Sequence, residues 1–192
     1  MKKITLSALA LLFAIGLSAQ THFGIKGGLN FDNMKIKNIP DVSVKNATGW
    51  HAGVAMQAKL ALGFVFQPEL LYSVKSIGLN GLSSKNSTVN FNYIELPLNL
   101  QWGVDLIILR PFVMASPYLS YLLGTNGKPQ EWSGVKNIDY GFGAGFGVDI
   151  WKLQVTGKWN WGFGKLGEIK HNDISVNANN LKGFQLSLGL LF

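Results

Sequence analysis

The sequence contains no cysteine among its 192 residues. This absence excludes disulfides, thiolate metal sites, cysteine-based catalysis and a lipid anchor on an N-terminal cysteine. Charged residues are also scarce, since Asp, Glu, Lys and Arg make up 14% of the chain, against about 25% in an average soluble domain. The low charge argues against an ordinary soluble globular protein.

Long apolar runs are missing from residue 21 onward. Hydrophobic residues make up 47% of the chain, yet no stretch of this part approaches the ~18 apolar residues of a membrane helix. What the chain has instead is dispersed hydrophobicity and 23 glycines. This combination favours strands that have one apolar face.

The N-terminus differs from the rest of the chain. Lys2 and Lys3 precede an apolar run from Ile4 to Ala19, and polar residues follow from Gln20. This order predicts a helical signal peptide over residues 1–20, cleaved beside Ala19 or Gln20. The alternative is a membrane anchor helix, for which the run is short. Residues 21–192 are expected to form one domain.

In this domain, apolar and polar residues alternate in eight segments, the period of a strand with two unlike faces. The last segment is the clearest, with Phe184, Leu186, Leu188 and Leu190 on one face, and it ends at Phe192. The segment at 109–123 alternates poorly. The eight segments cover residues 22–32, 49–60, 63–77, 93–102, 109–123, 138–150, 151–163 and 183–192. Each is close to the ~9–11 residues that a tilted membrane strand needs.

The connections between these segments alternate in length. Those near 61–62, 103–108 and 150–151 are short, whereas those near 33–48, 78–88, 124–136 and 165–181 are long and polar. Tight periplasmic turns and long external loops alternate in this way in outer-membrane barrels. The sequence therefore predicts an all-β fold, an eight-stranded antiparallel up-and-down transmembrane β-barrel. The alternative is a soluble barrel of the lipocalin type, which would turn its glycine-rich face to water.

Apart from Asp32, which is counted with the loop that follows it, the charged residues of the eight segments number ten, and all ten fall in the polar phase, which predicts that they face the lumen. They are Lys26, Lys59, Glu69, Lys75, Glu95, Arg110, Asp139, Asp149, Lys152 and Lys158. Because an unpaired buried charge is costly, six of them are expected to form a structural network of interior ion pairs. These six are Lys26, Glu69, Lys75, Glu95, Arg110 and Lys158.

Within that network, Glu95 is expected to draw on Arg110 and on Lys26 or Lys158, and Glu69 is expected to share the same cations. The alternative for the two glutamates is a general acid and base pair. Aromatic residues at both ends of the apolar stripes predict two interfacial belts. The belt at the loop end holds Trp50, Tyr72, Tyr121, Tyr140 and Trp161, and the belt at the turn end holds Phe23, Phe66, Trp102, Trp151 and Phe192.

Several segments resemble the PorT-like family of outer-membrane β-barrel proteins over nearly all of the domain. They include "FGIKGGLNF", "FQPELLYSVKSIGL", "NYIELPLNLQW", "SPYLSYLLG", "DYGFGAGFGVDI" and "QLSLGLLF", of which "PELLYS" and "YIELPL" are the most specific. The resemblance implies an eight-stranded barrel in a Gram-negative outer membrane. It also implies that Phe192 ends a strand that the outer-membrane assembly machinery reads. A namesake's association with protein secretion and gliding is not implied for this chain.

Motifs for chemistry are absent from the sequence. There is no HExxH, no metal-ligand spacing and no Gly-x-Ser-x-Gly elbow, and His22, His51 and His171 are scattered. We therefore expect no catalytic residue, no metal and no cofactor. The expected function is a small non-enzymatic barrel with a plugged polar lumen, acting through its external loops or as a structural or accessory component of the envelope.

Two other functions stay open. One is transport of small solutes or assistance in secretion, and the other is lipid modification, for which His51 with a neighbouring serine is the place to look. The expected partners are the assembly machinery and outer-membrane lipid, including lipopolysaccharide, whose phosphates would attract the lysine-rich loops. Nucleic acid is not expected, because the lysines are dispersed and the aromatic residues belong to the barrel wall. Protein partners are left open.

Overall fold

The computed structural model describes residues 21–33, 43–46, 48–80, 87–125, 138–163, 165–171, 174–179 and 182–192. The expected signal peptide lies outside the described residues. None of the described residues belongs to a helix long and apolar enough to cross a membrane. The described strands are β1 (Thr21–Asn33), β2 (Ser43–Asn46), β3 (Thr48–Lys59), β4 (Phe64–Asn80), β5 (Ser87–Gly103), β6 (Leu109–Thr125), β7 (Ile138–Ile150), β8 (Leu153–Gly162), β9 (Lys165–His171), β10 (Ile174–Asn179) and β11 (Lys182–Leu191).

Eight of these strands close into a barrel. Around its circumference the order is β1, β3, β4, β5, β6, β7, β8 and β11, and β11 pairs again with β1. Every pairing is antiparallel. The eight barrel strands thus follow one another around the barrel in the order of the sequence. Three short strands lie outside this series: β2 pairs with β4, and β9 pairs with β10. The predicted eight-stranded antiparallel barrel is confirmed.

The strands extend further at the loop end than the sequence indicates. β4, β5 and β6 each contain 17 residues, and the ladder between β4 and β5 continues to the pair Leu79 and Ser87. Both ends of the segment predicted as a loop at 78–88 are therefore strand, namely residues 78–80 and 87–88. Polar residues hide the alternation there, whereas the backbone hydrogen bonds of a ladder do not depend on side-chain polarity. The predicted loop at 165–181 likewise contains β9 and β10.

The poor alternation of β6 has a cause in its neighbour. Phe112 and Tyr118 of β6 are apolar but face the lumen, where both are buried, and they pair with Gly147 and Gly141 of β7. A Cβ at Gly147 would lie 2.6 Å from Phe112 Cζ, and one at Gly141 would meet the Tyr118 hydroxyl. The bulky inner face of β6 is thus accommodated by the glycine-rich inner face of β7.

The outer wall is apolar, as the eight stripes predict. The aromatic residues assigned to the two belts are exposed or half-buried on that wall. Two charged residues assigned to the lumen are not in it, so this prediction was wrong for them. Lys59 is exposed at the last position of β3, and Lys152 is exposed in the turn between β7 and β8. Both positions lie beyond the part of the barrel that has an enclosed interior, and the other eight charged residues are buried or half-buried.

Candidate functional site: the polar lumen

One set of lumen side chains, called here the amide layer, spans the barrel near its turn end. It consists of Gln57, Gln67, Gln101, Arg110, Asp149 and Gln154. Gln67 lies on β4 and Gln154 on β8, four strands apart in either direction around the barrel. Gln67 Nε2 donates to Gln154 Oε1 (2.8 Å), and Gln154 Nε2 donates to Gln67 Oε1 (3.0 Å). This reciprocal pair joins opposite walls.

Further hydrogen bonds hold the amide layer in place. Gln101 Nε2 and Gln57 Nε2 both donate to Gln67 Oε1, at 3.0 and 3.3 Å. Arg110 donates from Nη1 to Gln101 Oε1 and to Asp149 Oδ2, each at 3.1 Å, and from Nη2 to the carbonyl of Gly63 at 3.1 Å. Since Gly63 lies in the turn between β3 and β4, Arg110 connects the layer to the turn end.

A second set, called here the charged layer, comprises Lys26, Glu69, Lys75, Glu95 and Lys158, all buried. Lys26 Nζ lies 2.6 Å from Glu69 Oε1, which also accepts a hydrogen bond from Gln67 Nε2 at 2.8 Å. Lys75 Nζ lies 2.7 Å from Glu95 Oε1 and 5.0 Å from the centroid of the Tyr93 ring. The structure therefore contains two separate ion pairs in this layer.

The inward orientation predicted for Glu95 is confirmed, because Glu95 is buried while Ile94 and Leu96 are exposed. The partners favoured for it within the network, Arg110 and Lys26 or Lys158, were wrong, whereas its actual partner belongs to the predicted network of six. Glu95 is paired with Lys75, which lies on the adjacent strand four residues beyond Leu71, the cross-strand partner of Glu95. Lys26 is engaged by Glu69, and Arg110 is engaged by Asp149, a partner that the proposed network of six did not include.

Lys158 belongs to neither ion pair. Its Nζ donates to Ser116 Oγ at 3.4 Å, and none of the carboxylates in the described part of the chain lies within 4.0 Å of it. The side chain crosses β7 at Gly143, where a Cβ would lie 3.1 Å from Lys158 Cδ. The glycine therefore leaves space for a lysine of β8 to reach a serine of β6.

A third cluster surrounds His51, and the sequence identified only its histidine. His51 Nδ1 lies 2.9 Å from Asn30 Oδ1, and Nε2 lies 2.9 Å from Ser187 Oγ. Asn30 Nδ2 donates to the carbonyl of Trp50 at 3.2 Å. Because that carbonyl can only accept, Asn30 Oδ1 faces the ring, His51 Nδ1 carries the proton, and Nε2 accepts from the Ser187 hydroxyl. A Cβ at Gly28, between them, would lie 2.7 Å from His51 Cε1.

The order serine, histidine, asparagine is similar to that of a catalytic triad, but an amide stands where a serine triad has a carboxylate. Both the serine and the histidine are buried within the described part of the chain, since Ser187 is 2% exposed and His51 is 1% exposed. What the cluster does is connect β1, β3 and β11 by side chains inside the lumen. In the described part of the chain, no three His, Asp or Glu side chains group as metal ligands.

The backbone of Phe192 extends the pairing between β11 and β1 by two hydrogen bonds. The N–H of Phe192 donates to the carbonyl of Phe23 (2.7 Å), and the N–H of Phe23 donates to the carbonyl of Phe192 (3.1 Å). The Phe192 ring is exposed on the outer wall.

Residues 18–168 match the family described as outer membrane protein beta-barrel domain. The chain belongs to this family. As a member it is a protein of the cell outer membrane, and its barrel crosses that membrane.

A solved structure supports the fold. The chain is similar to the outer membrane protein OprG from Pseudomonas aeruginosa, with a TM-score of 0.56, 13% identity, and coverage of 91% of this chain and 97% of that one. The outer membrane protein W of E. coli matches at a TM-score of 0.45 and 16% identity, over 91% of this chain and 100% of that one. No curated protein has a significantly similar sequence. At these identities the likeness concerns the fold alone.

Proposed function

We propose that this protein is a non-enzymatic outer-membrane barrel with a plugged polar lumen, which acts through its external loops or as a structural or accessory component of the envelope. The observation that carries the proposal is the reciprocal pair of Gln67 and Gln154 between opposite strands. We also propose that it is a PorT-like protein, a proposal that the motifs "PELLYS" and "YIELPL" support.

Opening the lumen would require several of these hydrogen bonds to break together. Opening exchanges each of these bonds for bonds to water at a net cost of about 0.5–1.5 kcal/mol, and Gln67 Oε1 alone accepts from three side chains. The guanidinium of Arg110 would also lose Gln101 and Asp149. The closed arrangement is therefore strongly favoured over an open one, which supports a plug and disfavours a solute channel.

Activity is then left to the external side of the barrel. The Ser187 hydroxyl is buried among the described residues, which disfavours it as an accessible nucleophile of the Ser–His kind. The long loops, together with Asp32 and Lys182 at their edges, carry nine lysines against five acidic residues, an excess that attracts the phosphates of lipopolysaccharide. We infer that this lipid is a partner of the loops.

Planar-bilayer conductance of the purified protein tests the plug. The native protein is expected to give no steady openings, and Gln67→Ala combined with Gln154→Ala is expected to give them, because the bond between opposite walls is lost. Gln185→Ala is the matched control. It removes another buried lumen glutamine, which donates to Asn30 on a strand next to its own, and should leave the protein closed. Steady openings of porin size from the native protein would contradict the plug and favour transport.

The assembly machinery is the second proposed partner, and it would read the end of β11. Deletion of Phe192 removes both the exposed ring and the backbone bonds to Phe23, whereas Phe192→Ala removes the ring alone. Both variants should lower the amount of folded, heat-modifiable protein in the outer membrane. An undiminished folded band in both would show that the ring is not read.

A further inference from the structure

The three described turns at the periplasmic end carry large apolar side chains at their tips. Leu62 is 88% exposed, Ile107 is 104% exposed and Trp151 is 85% exposed, one in each turn. The middle turn adds further exposed apolar residues, which are Val104, Leu106 and Ile108. These six residues are called here the turn surface. Single exposed apolar residues are ordinary, but a cluster at one end of a molecule indicates contact with another apolar phase.

The backbone at two of these tips is unfavourable for the residues that occupy it. Leu62 has φ 59° and Trp151 has φ 55°, the left-handed region in which glycine, asparagine and aspartate are usual and bulky residues are rare. A glycine would satisfy either turn with less strain. The large side chains therefore serve a contact outside the turn itself.

The exposed charges beside the turns are two lysines and one aspartate, Asp105, whose side chain is 66% exposed. Lys59 and Lys152 are both exposed beside the turns, and Lys152 Nζ lies 5.3 Å from the centroid of the Trp151 ring. The acidic residue of the middle turn, Asp105, has its Oδ1 3.7 Å from Arg110 Nε. The turn surface thus presents apolar tips with ammonium groups beside them.

The turn surface continues the lipid-facing wall without a polar boundary. Phe64, Trp102, Ile150 and Leu153 are exposed on the outer wall at the strand ends that adjoin the three turns. A shallow groove of about 430 Å³, lined almost wholly by apolar atoms, lies higher on the same wall, where Phe23, Val54, Pro68 and Leu96 contribute. One continuous apolar face therefore runs from the wall onto the tips.

We propose that the turn surface is embedded in the inner leaflet of the outer membrane and that its occupant is anionic phospholipid. The tips at residues 62, 107 and 151 lie among the acyl chains near the headgroups. Lys59 and Lys152 bind the headgroup phosphates, as basic residues at an anionic bilayer surface do. The barrel then ends inside the leaflet and does not project into the periplasm. This conclusion does not depend on whether the lumen is plugged.

The absence of native cysteine allows single labels to test this depth. Ile107→Cys and Leu62→Cys, each carrying the fluorophore NBD, would be folded into vesicles of phosphatidylcholine and phosphatidylglycerol. We expect both labels to be quenched by lipids brominated near the headgroup and to be protected from iodide in the water. Lys182→Cys, an exposed position at the loop end of β11, is the control and should be quenched by iodide.

The choice of lipid is tested in the same samples. The emission of NBD at position 107 should move to shorter wavelength when phosphatidylglycerol is added to phosphatidylcholine vesicles. Lys59→Gln combined with Lys152→Gln should remove that difference without unfolding the barrel. Full iodide quenching at 107 and 62 in vesicles would overturn the proposal and indicate a periplasmic protein as the occupant. Protection that appears only at high protein-to-lipid ratio would overturn it in favour of a second copy of the chain.

Discussion

The amide layer and the charged layer lie in the same lumen but are built differently. In the amide layer, uncharged side chains bond across the full width of the barrel, from β4 to β8. In the charged layer, ion pairs join strands that are adjacent or two apart, β4 to β5 and β1 to β4. Hydrogen bonding also differs, since Glu69 Oε2 has no partner in the described part of the chain, and Lys158 makes one long bond.

This difference indicates that one layer closes the lumen and the other aligns the strands. The glutamines of the amide layer cost little to bury, because they are uncharged and bond to one another, and Arg110 is paired with Asp149. This layer is suited to holding opposite walls together and to excluding solutes. An ion pair between nearby strands fixes how those strands align, but a buried ion pair is weak evidence for added stability. We therefore assign the plug to the amide layer and strand register to the charged layer.

The largest effect is expected at Glu69, the residue that joins the two layers. Glu69→Ala leaves the ammonium of Lys26 buried without a carboxylate and removes an acceptor from Gln67. Breaking a buried pair in this way costs about 3–5 kcal/mol, measured as a lower free energy of unfolding in urea with the barrel in vesicles. The double variant Lys26→Met with Glu69→Leu removes both charges and should recover most of the loss. Equal losses in the single and double variants would show that the pair is not the cause.

A smaller loss is expected at Glu95. Its partner Lys75 keeps the Tyr93 and Tyr118 rings at 5.0 and 5.9 Å, and each such contact contributes about 0.5–2 kcal/mol. Glu95→Ala should therefore cost less than Glu69→Ala, and Glu95→Gln should cost least, because the amide keeps the shape and still accepts a hydrogen bond. The same urea titrations measure all three. If Glu95→Ala lowers the free energy of unfolding as much as Glu69→Ala does, the aromatic rings do not stabilise the unpaired Lys75.

The next largest loss of stability is expected when a glycine is replaced by alanine beside the cluster around His51. In Gly28→Ala the new methyl group would meet the carbonyl of Leu186 and the ring of His51. Overpacking of this kind costs about 1–3 kcal/mol. Gly189→Ala is the matched control on the neighbouring strand, since its Cβ would have no neighbour closer than 3.5 Å. If both alanines lower the urea midpoint equally, the loss of stability comes from a change in strand propensity and not from crowding against His51.

The sequence predicts the faces of strands better than it predicts partners. The inward orientation of Glu95 follows from its neighbours Ile94 and Leu96, because period-two alternation is local. Its pairing with Lys75 does not follow, since the sequence predicts a long loop between β4 and β5, and register is fixed by turn geometry only in tight hairpins. The same holds for Arg110 and Asp149 on β6 and β7.

Other features depend on contacts between strands that no single segment records. The inward Phe112 and Tyr118 break the alternation of β6, and they fit only because β7 presents Gly147 and Gly141. The link from His51 to Ser187 needs Gly28 on the strand between them. A run of glycines at alternate positions is the signal in the sequence, and it indicates that large side chains of neighbouring strands cross there.

The smallest effect is expected in the labelling of Ser187 by a serine-reactive probe. This experiment tests whether the amide layer closes the lumen. His51 Nε2 accepts from the Ser187 hydroxyl, so the serine faces a base, and burial protects it. A fluorophosphonate should leave Ser187 unlabelled in the folded native barrel, because a closed lumen excludes it. In the variant that combines Gln67→Ala with Gln154→Ala, slow labelling of Ser187 is expected only if the probe enters the lumen from the turn end. Ready labelling of the native protein, abolished by Ser187→Ala, would show that the lumen is open from the loop side and would bring lipid-modifying chemistry back into contention.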